Sequence, residues 1–225
     1  MDIDMTPEEE KRIEALARSD RPLVVCDIDE VVLEFVSPFM AFLDSHGHEL
    51  RADSFRLSGN VYLRDTGQAV DNDMVSDFLE RFFGEHDTWQ TPVEGALDTL
   101  AEIEATHEAD IVFLTAMPPR HHGRRRTLLD RHGFAHPMIA TEDAKGGAVA
   151  ELTRHNPKRP VAFIDDLPPN HISVLEAVPE ALGLHLMAYS AFAPHLPPMP
   201  KGVTSVEDWP AAAAAIADFL ENRGH

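Results

Sequence analysis

The stretch Leu23-Val24-Val25-Cys26-Asp27-Ile28-Asp29-Glu30-Val31-Val32 decides the fold. It opens as a short, unbroken apolar run rich in β-branched residues, without the polar alternation of a strand that wets one face. Such a run predicts a strand buried on both faces, as in a parallel sheet. Arg21-Pro22 precedes it and stops a helix that begins at Thr6-Pro7-Glu8-Glu9, a capping box with Pro at the first helical position, and runs to about Arg18. The acids Asp27 and Asp29 come directly after the apolar run, at the carboxyl end of the strand, where parallel sheets bind ligands.

The pattern recurs outward from this point. Asp110–Thr115 (DIVFLT), Pro137–Ala140, Pro160–Ile164 (PVAFI) and Leu184–Ala188 read as further strands. Helices are expected over Val93–Thr106, Arg120–His132, Gly146–His155 and Asn170–Val178. This alternation predicts an α/β fold, a three-layer Rossmann-like parallel sheet with helices on both faces. Residues 33–91 break the rhythm. A crossover needs only about 10–12 residues, so this segment is an insertion leaving the carboxyl edge of the first strand, placed to cover a site. It is expected to hold a helix near Ser37–Ser45, a hairpin around Phe55–Val70, and a helix from Asp73 to Phe83 capped by Asn72 or Asp71. The expected organisation is therefore an α/β core over 1–32 and 92–225 with a small, mostly helical cap over 33–91. The Pro194–Pro200 loop reads as a surface connection, and an Ala-rich helix follows from Asp208 to Glu221.

Composition bounds the function. The 225 residues suffice for a sizeable core, and 44% hydrophobic content is that of a globular chain. A single cysteine, Cys26, excludes an intramolecular disulfide and a cysteine zinc cage. A net charge of −20 disfavours general binding to nucleic acid or to an anionic membrane surface. The N-terminus carries acids where a signal peptide has bases, and no run approaches the ~18 apolar residues of a membrane span. The expected location is cytoplasmic; the oligomeric state is not legible.

Four features fall at the ends of apolar runs: Asp27 and Asp29, Thr115 with Ala116 after it, Lys145 before a helix start, and the pair Asp165-Asp166. Carboxylates gathered at one crevice repel one another, so they take up protons or a cation. Oxygen ligands without His or Cys suit a hard cation, with Mg²⁺ the usual choice. Lys145 adds a positive charge and Thr115 a hydroxyl donor, a set suited to a phosphoryl group. In an extended chain, i and i+2 point the same way. One carboxylate of Asp27-Ile28-Asp29 can then attack phosphorus while the other moves a proton.

The ordered set, DxDxV, then T, then K, then DD, resembles the haloacid dehalogenase superfamily of phosphohydrolases over about 160 residues of core, and the insertion resembles its first-position (C1) cap. The resemblance implies a Mg²⁺-dependent phosphomonoesterase acting on a small soluble phosphate ester. Asp27 is then the nucleophile that forms an aspartyl-phosphate, and Asp29 the general acid and later the base. The carboxylates of Asp27 and Asp165 and the backbone carbonyl of Asp29 hold the metal, with Asp166 supporting its shell. Thr115, Ala116 and Lys145 contact the phosphoryl oxygens. Many members carry Gly after the second Asp; here it is Glu30, which leaves the turn into the cap open. DIDEVVLEF and PVEGALDTL look most like the deoxyribonucleotidase-type branch, a leaning toward a nucleoside monophosphate. The alternatives are a phosphate-binding protein without turnover and an Asp-phosphorylated signalling receiver. A receiver opens with its acidic pair and has no place for the insertion.

Several other residues have plainer readings. The run Pro119–Arg126 (PRHHGRRR) reads as a solvated helix face, since charge runs are mostly surface. Arg56, Asn60, Tyr62, Arg64 and Trp89 read as fold or surface. Phe78, Leu79, Phe82 and Phe83 form an apolar stripe inside the cap, and Cys26 reads as packing.

Overall fold

The computed structural model describes residues 5–223. Six strands, β1 (Leu23–Cys26), β4 (Asp110–Thr115), β5 (Met138–Ala140), β6 (Val161–Asp165), β7 (Leu182–His185) and β8 (Val203–Ser205), form one parallel sheet in the order β5-β4-β1-β6-β7-β8. Strand β1 sits inside it, with Val25 level with Val112 of β4 and Phe163 of β6. Its side chains alternate between two apolar layers. Leu23 and Val25 pack toward α1 (Pro7–Ala17), α6 (Lys145–Thr153) and α7 (Pro168–Ala177), with Ile13, Val149 and Val174 among their cluster. Val24 and Cys26 pack toward α4 (Ala96–His107), α5 (His122–Arg131) and α8 (Trp209–Arg223), with Leu100, Leu128 and Ile216 among theirs. This is the expected three-layer α/β architecture.

Between β1 and α4 the chain forms α2 (Val36–Ser45), the antiparallel pair β2 (His48–Leu50) and β3 (Val61–Leu63), and α3 (Asn72–Trp89). A third apolar cluster, built around Phe39, Phe42, Phe78 and Phe82, fills this segment. Tyr189 and Phe192, from the connection after β7, join it. Residues 189–192 therefore pack against the insertion, while Pro194–Pro200 has no buried residue and runs over the surface as expected.

Other differences are local and have physical causes. The expected hairpin forms over its second half: 61–63 folds back on 68–70, with the Val70 amide donating to the Val61 carbonyl and the Leu63 amide to the Gln68 carbonyl, both at 2.9 Å. Strand β3 also pairs with 48–50, while Phe55 and Leu57 line a cavity. Helix α3 runs on to Trp89; Gly84 inside it meets no neighbour and costs only helix propensity. Helix α7 begins at Pro168-Pro169, two residues earlier than expected, since the first helical turn needs no amide donor. Strand β7 lies two to three residues earlier, and β8 is an additional strand at the sheet edge. Half of the capping box forms: Thr6 accepts from the Glu9 amide at 3.2 Å, but the buried Glu9 carboxylate instead accepts from the Met138 amide at 3.2 Å. No helix among the described residues is long and apolar enough to cross a membrane.

Candidate active site

Every sequence feature singled out at a strand end lies at the carboxyl edge of the sheet. Leaving β1, the chain turns sharply: the Val32 and Leu33 amides donate back to the Ile28 carbonyl, and Glu30 adopts a left-handed conformation (φ 66°). A non-glycine residue there costs about 1–2 kcal/mol. Its carboxylate offsets that cost by accepting from the Phe35, Val36 and Tyr189 amides at 2.9, 2.6 and 2.7 Å. Burial pushes the Glu30 pKa up, and these amides pull it back. Glu30 thus satisfies the first turn of α2 and ties it to the Tyr189 loop. From the far end of the chain, the buried Trp209 indole donates to the Val31 carbonyl at 2.9 Å.

Asp27, Asp165 and Asp166 converge, with one carboxylate oxygen of each within 4.8 Å of the others. Lys145 lies beneath, 1% exposed. Its ammonium is 2.7 Å from Asp27 Oδ1 and 2.6 Å from Asp165 Oδ2. Gly146 allows this placement: a Cβ there would meet the Ser173 carbonyl oxygen at 2.1 Å, so only glycine lets the first turn of α6 lie against α7. Burial pushes the Asp27 pKa up to about 7, and Asp165 and Asp29 add to this against the pull of Lys145. Burial would lower Lys145, but Asp165 and Asp27 outweigh it and hold the amine above its ordinary value. Burial, then Asp165 and Asp27, raise Asp166 well above the carboxylate range.

The two adjacent acids differ in their surroundings. Asp165 is fully occupied: besides Lys145, its Oδ1 accepts from the Leu167 amide at 2.8 Å and from Asn170 Nδ2 at 2.9 Å. Asp166 lines the cavity above, and among the described residues no side chain donates to its carboxylate. Three carboxylates with no His or Cys among them suit a hard dication; Asp166 has no side-chain donor on it, and Asp27 keeps one oxygen that Lys145 does not hold. Cys26 is buried beside them with its thiol pKa pushed up, so it stays protonated packing.

Asp29 is not part of this carboxylate group. Its Oδ1 accepts from Arg125 Nη1 and from Gln90 Nε2, both at 2.8 Å. Arg125 is 0% exposed and sits 5.9 Å from the centre of the Phe83 ring. Gln90 closes α3 and also donates to the Glu34 carbonyl at 2.9 Å. His86, buried on the same helix, has its pKa lowered to about 4 by burial and by Arg125. The basic run is therefore no free helix face. Arg120 and His121 pair with Glu80, Arg124 lies 3.9 Å and Arg131 3.8 Å from Asp87, and Arg125 reaches Asp29. Arg124 and Arg131 seam α5 to α3, and Arg120 and His121 tie the turn before α5 to the same helix. Arg125 was identifiable in principle: His122, Arg125 and Leu129 fall at i, i+3 and i+7, on one buried stripe.

Above the acids lies a cavity of about 300 Å³. Thr115 and Ala116 border it, and the Thr115 oxygen accepts from the Met117 amide at 3.1 Å, leaving its hydroxyl proton free to donate. Lys145 does not reach the cavity wall; its bonds go to the carboxylates. Phe83 lines the cavity as well as the apolar stripe of α3, while Arg56, Asn60, Tyr62, Arg64 and Trp89 are not among the lining residues.

No family model matches the sequence, and no curated protein matches it. Solved structures do. One is a HAD family hydrolase from Deinococcus radiodurans with bound phosphate and sodium, 18% identical, covering 90% of this chain and 97% of that one, at a TM-score of 0.56. Another is a haloacid dehalogenase-like family hydrolase from Streptococcus pneumoniae, 10% identical, covering 89% and 99%, at 0.55. A third is a predicted phosphoglycolate phosphatase from Haemophilus somnus, 15% identical, covering 88% and 99%, at 0.55. The chain shares their fold.

Proposed function

We propose that the chain is a Mg²⁺-dependent phosphomonoester hydrolase of the haloacid dehalogenase type, with residues 33–91 as its cap. The observation that carries this reading is the buried group Asp27, Asp165 and Asp166 around Lys145, at the sheet's carboxyl edge and under a cavity. Asp166 and one oxygen of Asp27 would hold the dication, which would neutralise phosphoryl charge, and the other Asp27 oxygen stays free to attack. Asp165 positions Lys145, a departure from the expectation that Asp165 ligates directly. Lys145 keeps Asp27 ionised against burial, and Thr115 donates to a phosphoryl oxygen.

The free Asp27 oxygen attacks phosphorus, and the bond from phosphorus to the ester oxygen breaks. Asp29 gives that oxygen its proton. Water then attacks the aspartyl-phosphate, Asp29 takes the water's proton, and phosphate leaves with Asp27 regenerated. Arg125 and Gln90 hold Asp29 in place for both steps. The substrate is a small soluble ester.

The test is phosphate release by wild type and Asp27→Asn, with and without Mg²⁺. Multiple turnovers lost in the variant support the reading. Equal rates in both refute the nucleophile, and stable labelling by acetyl phosphate without turnover points to a signalling module.

A further inference from the structure

The walls of the cavity differ sharply from its floor. Its charged lining residues are Asp27, Asp29, Glu30 and Asp166; none is Lys, Arg or His. The Glu30 carboxylate is already used by three backbone amides. Its apolar lining is Phe35, Phe55, Leu57 and Phe83 from the insertion with Met187 and Phe192 from the connection after β7, which also brings Tyr189. Phe35, Phe55, Leu57 and Phe83 share one apolar cluster with Phe192 from a distant part of the chain, so these side chains form a continuous wall.

We infer that the ester group leaving this site is an uncharged, ring-bearing alcohol, so that the substrates are monophosphates with an aromatic or otherwise apolar ring one or two bonds from the ester oxygen. This rests on the hydrolase reading and deepens it. The phosphoryl group meets the floor, where a dication and Lys145 balance it. A second anionic group, carboxylate or phosphate, would be buried against phenylalanine and leucine with no cation to meet it and several acids nearby, which is strongly unfavourable. A polyhydroxyl sugar would find the Tyr189 phenol as its one side-chain partner among those wall residues and leave most of its hydroxyls unpaired. A flat ring is the shape that Phe35, Phe55 and Phe83 accommodate by stacked or edge contact. The volume, about 300 Å³, is at the small end of ligand pockets and suits one ring system with its phosphate.

The experiment measures binding separately from turnover. Asp27→Asn with Mg²⁺ is titrated by calorimetry with benzyl phosphate, glucose 6-phosphate and phosphoglycolate, all esters of primary alcohols; wild-type kcat/KM is measured on the same three. Benzyl phosphate is expected to bind about 50-fold tighter than either of the others, since burying one ring removes roughly 100 Å² of apolar surface from water. Phe55→Ala, made in the same background on a half-buried loop residue, is expected to narrow that ratio about fivefold. Leu57→Arg is expected to raise affinity for phosphoglycolate selectively. Glucose 6-phosphate or phosphoglycolate binding as tightly as benzyl phosphate overturns the inference. So does an unchanged ratio in Phe55→Ala. If the preference appears in binding while the wild type hydrolyses none of the three, the inference stands and the hydrolase reading fails. Binding of none overturns both.

Discussion

Replacing Lys145 with Met tests the electrostatic core of the site. Methionine is close in volume and flexible, so the loss of packing is small. What disappears is a positive charge 2.7 Å from Asp27 and 2.6 Å from Asp165, in a side chain 1% exposed. At an effective dielectric near 20, each contact is worth roughly 6 kcal/mol gross. Desolvation of the three groups offsets most of that, and removing one partner from a buried pair costs about 3–5 kcal/mol net. That is a fifth or more of a domain's usual stability of about 5–15 kcal/mol. The loss depends on pH. Without Lys145 the carboxylates bind protons more tightly in the folded than in the unfolded chain, and the Asp27 pKa already stands up at about 7 with the lysine present. Where the folded state holds more protons, stability falls as pH rises. The gap between wild type and variant should therefore widen from pH 6 to pH 8.5. Urea midpoints of the metal-free proteins measure it, and added Mg²⁺ should narrow the gap at pH 8.5 by restoring positive charge. Equal midpoints at pH 8.5, or a gap that is larger at pH 6, would refute the reasoning.

Arg125→Met removes the charged hydrogen bond to Asp29 and should destabilise by about 2–3 kcal/mol in thermal unfolding. Arg124→Met, whose side chain is 59% exposed, should change stability by less than about 1 kcal/mol. The native state keeps His86 neutral, its pKa lowered to about 4. The unfolded chain takes up that proton below about pH 6.5, so stability should fall as pH drops from 6.5 toward 4. His86→Leu should flatten that slope by about 3 kcal/mol across the window, measured as the pH dependence of the urea midpoint. Gly146→Ala meets backbone oxygen at 2.1 Å and should cost at least about 2 kcal/mol; a midpoint within error of wild type would show that the contact between α6 and α7 yields easily.

The core of the fold was legible because buried parallel strands write themselves as unbroken apolar runs, and because charged residues at their ends have few places to go other than the ligand edge. VVCDID and VAFIDD carry both signals. Strand β8 carries neither: Val203–Ser205 is short, at the edge and partly exposed, so nothing in its pattern separates it from a loop. Arg125 was hidden by its neighbours, since a basic run looks uniformly solvated until the helical phase is followed residue by residue. Phe192 was hidden by the prolines that follow it. The division of labour between Asp165 and Asp166 is a matter of which carboxylate Asn170 and Lys145 reach, and adjacent letters in a strand-end pair do not encode that.

The bond from the Trp209 indole to the Val31 carbonyl changes how the molecule's tail should be regarded. Only Glu30 separates Val31 from Asp29, so the final helix acts as a peg driven into the turn that carries Asp29. A shortened chain lacking 209–225 would lose a fully buried indole and leave that carbonyl in need of a new partner. Deletions made for convenience of expression at this end should therefore stop short of Trp209.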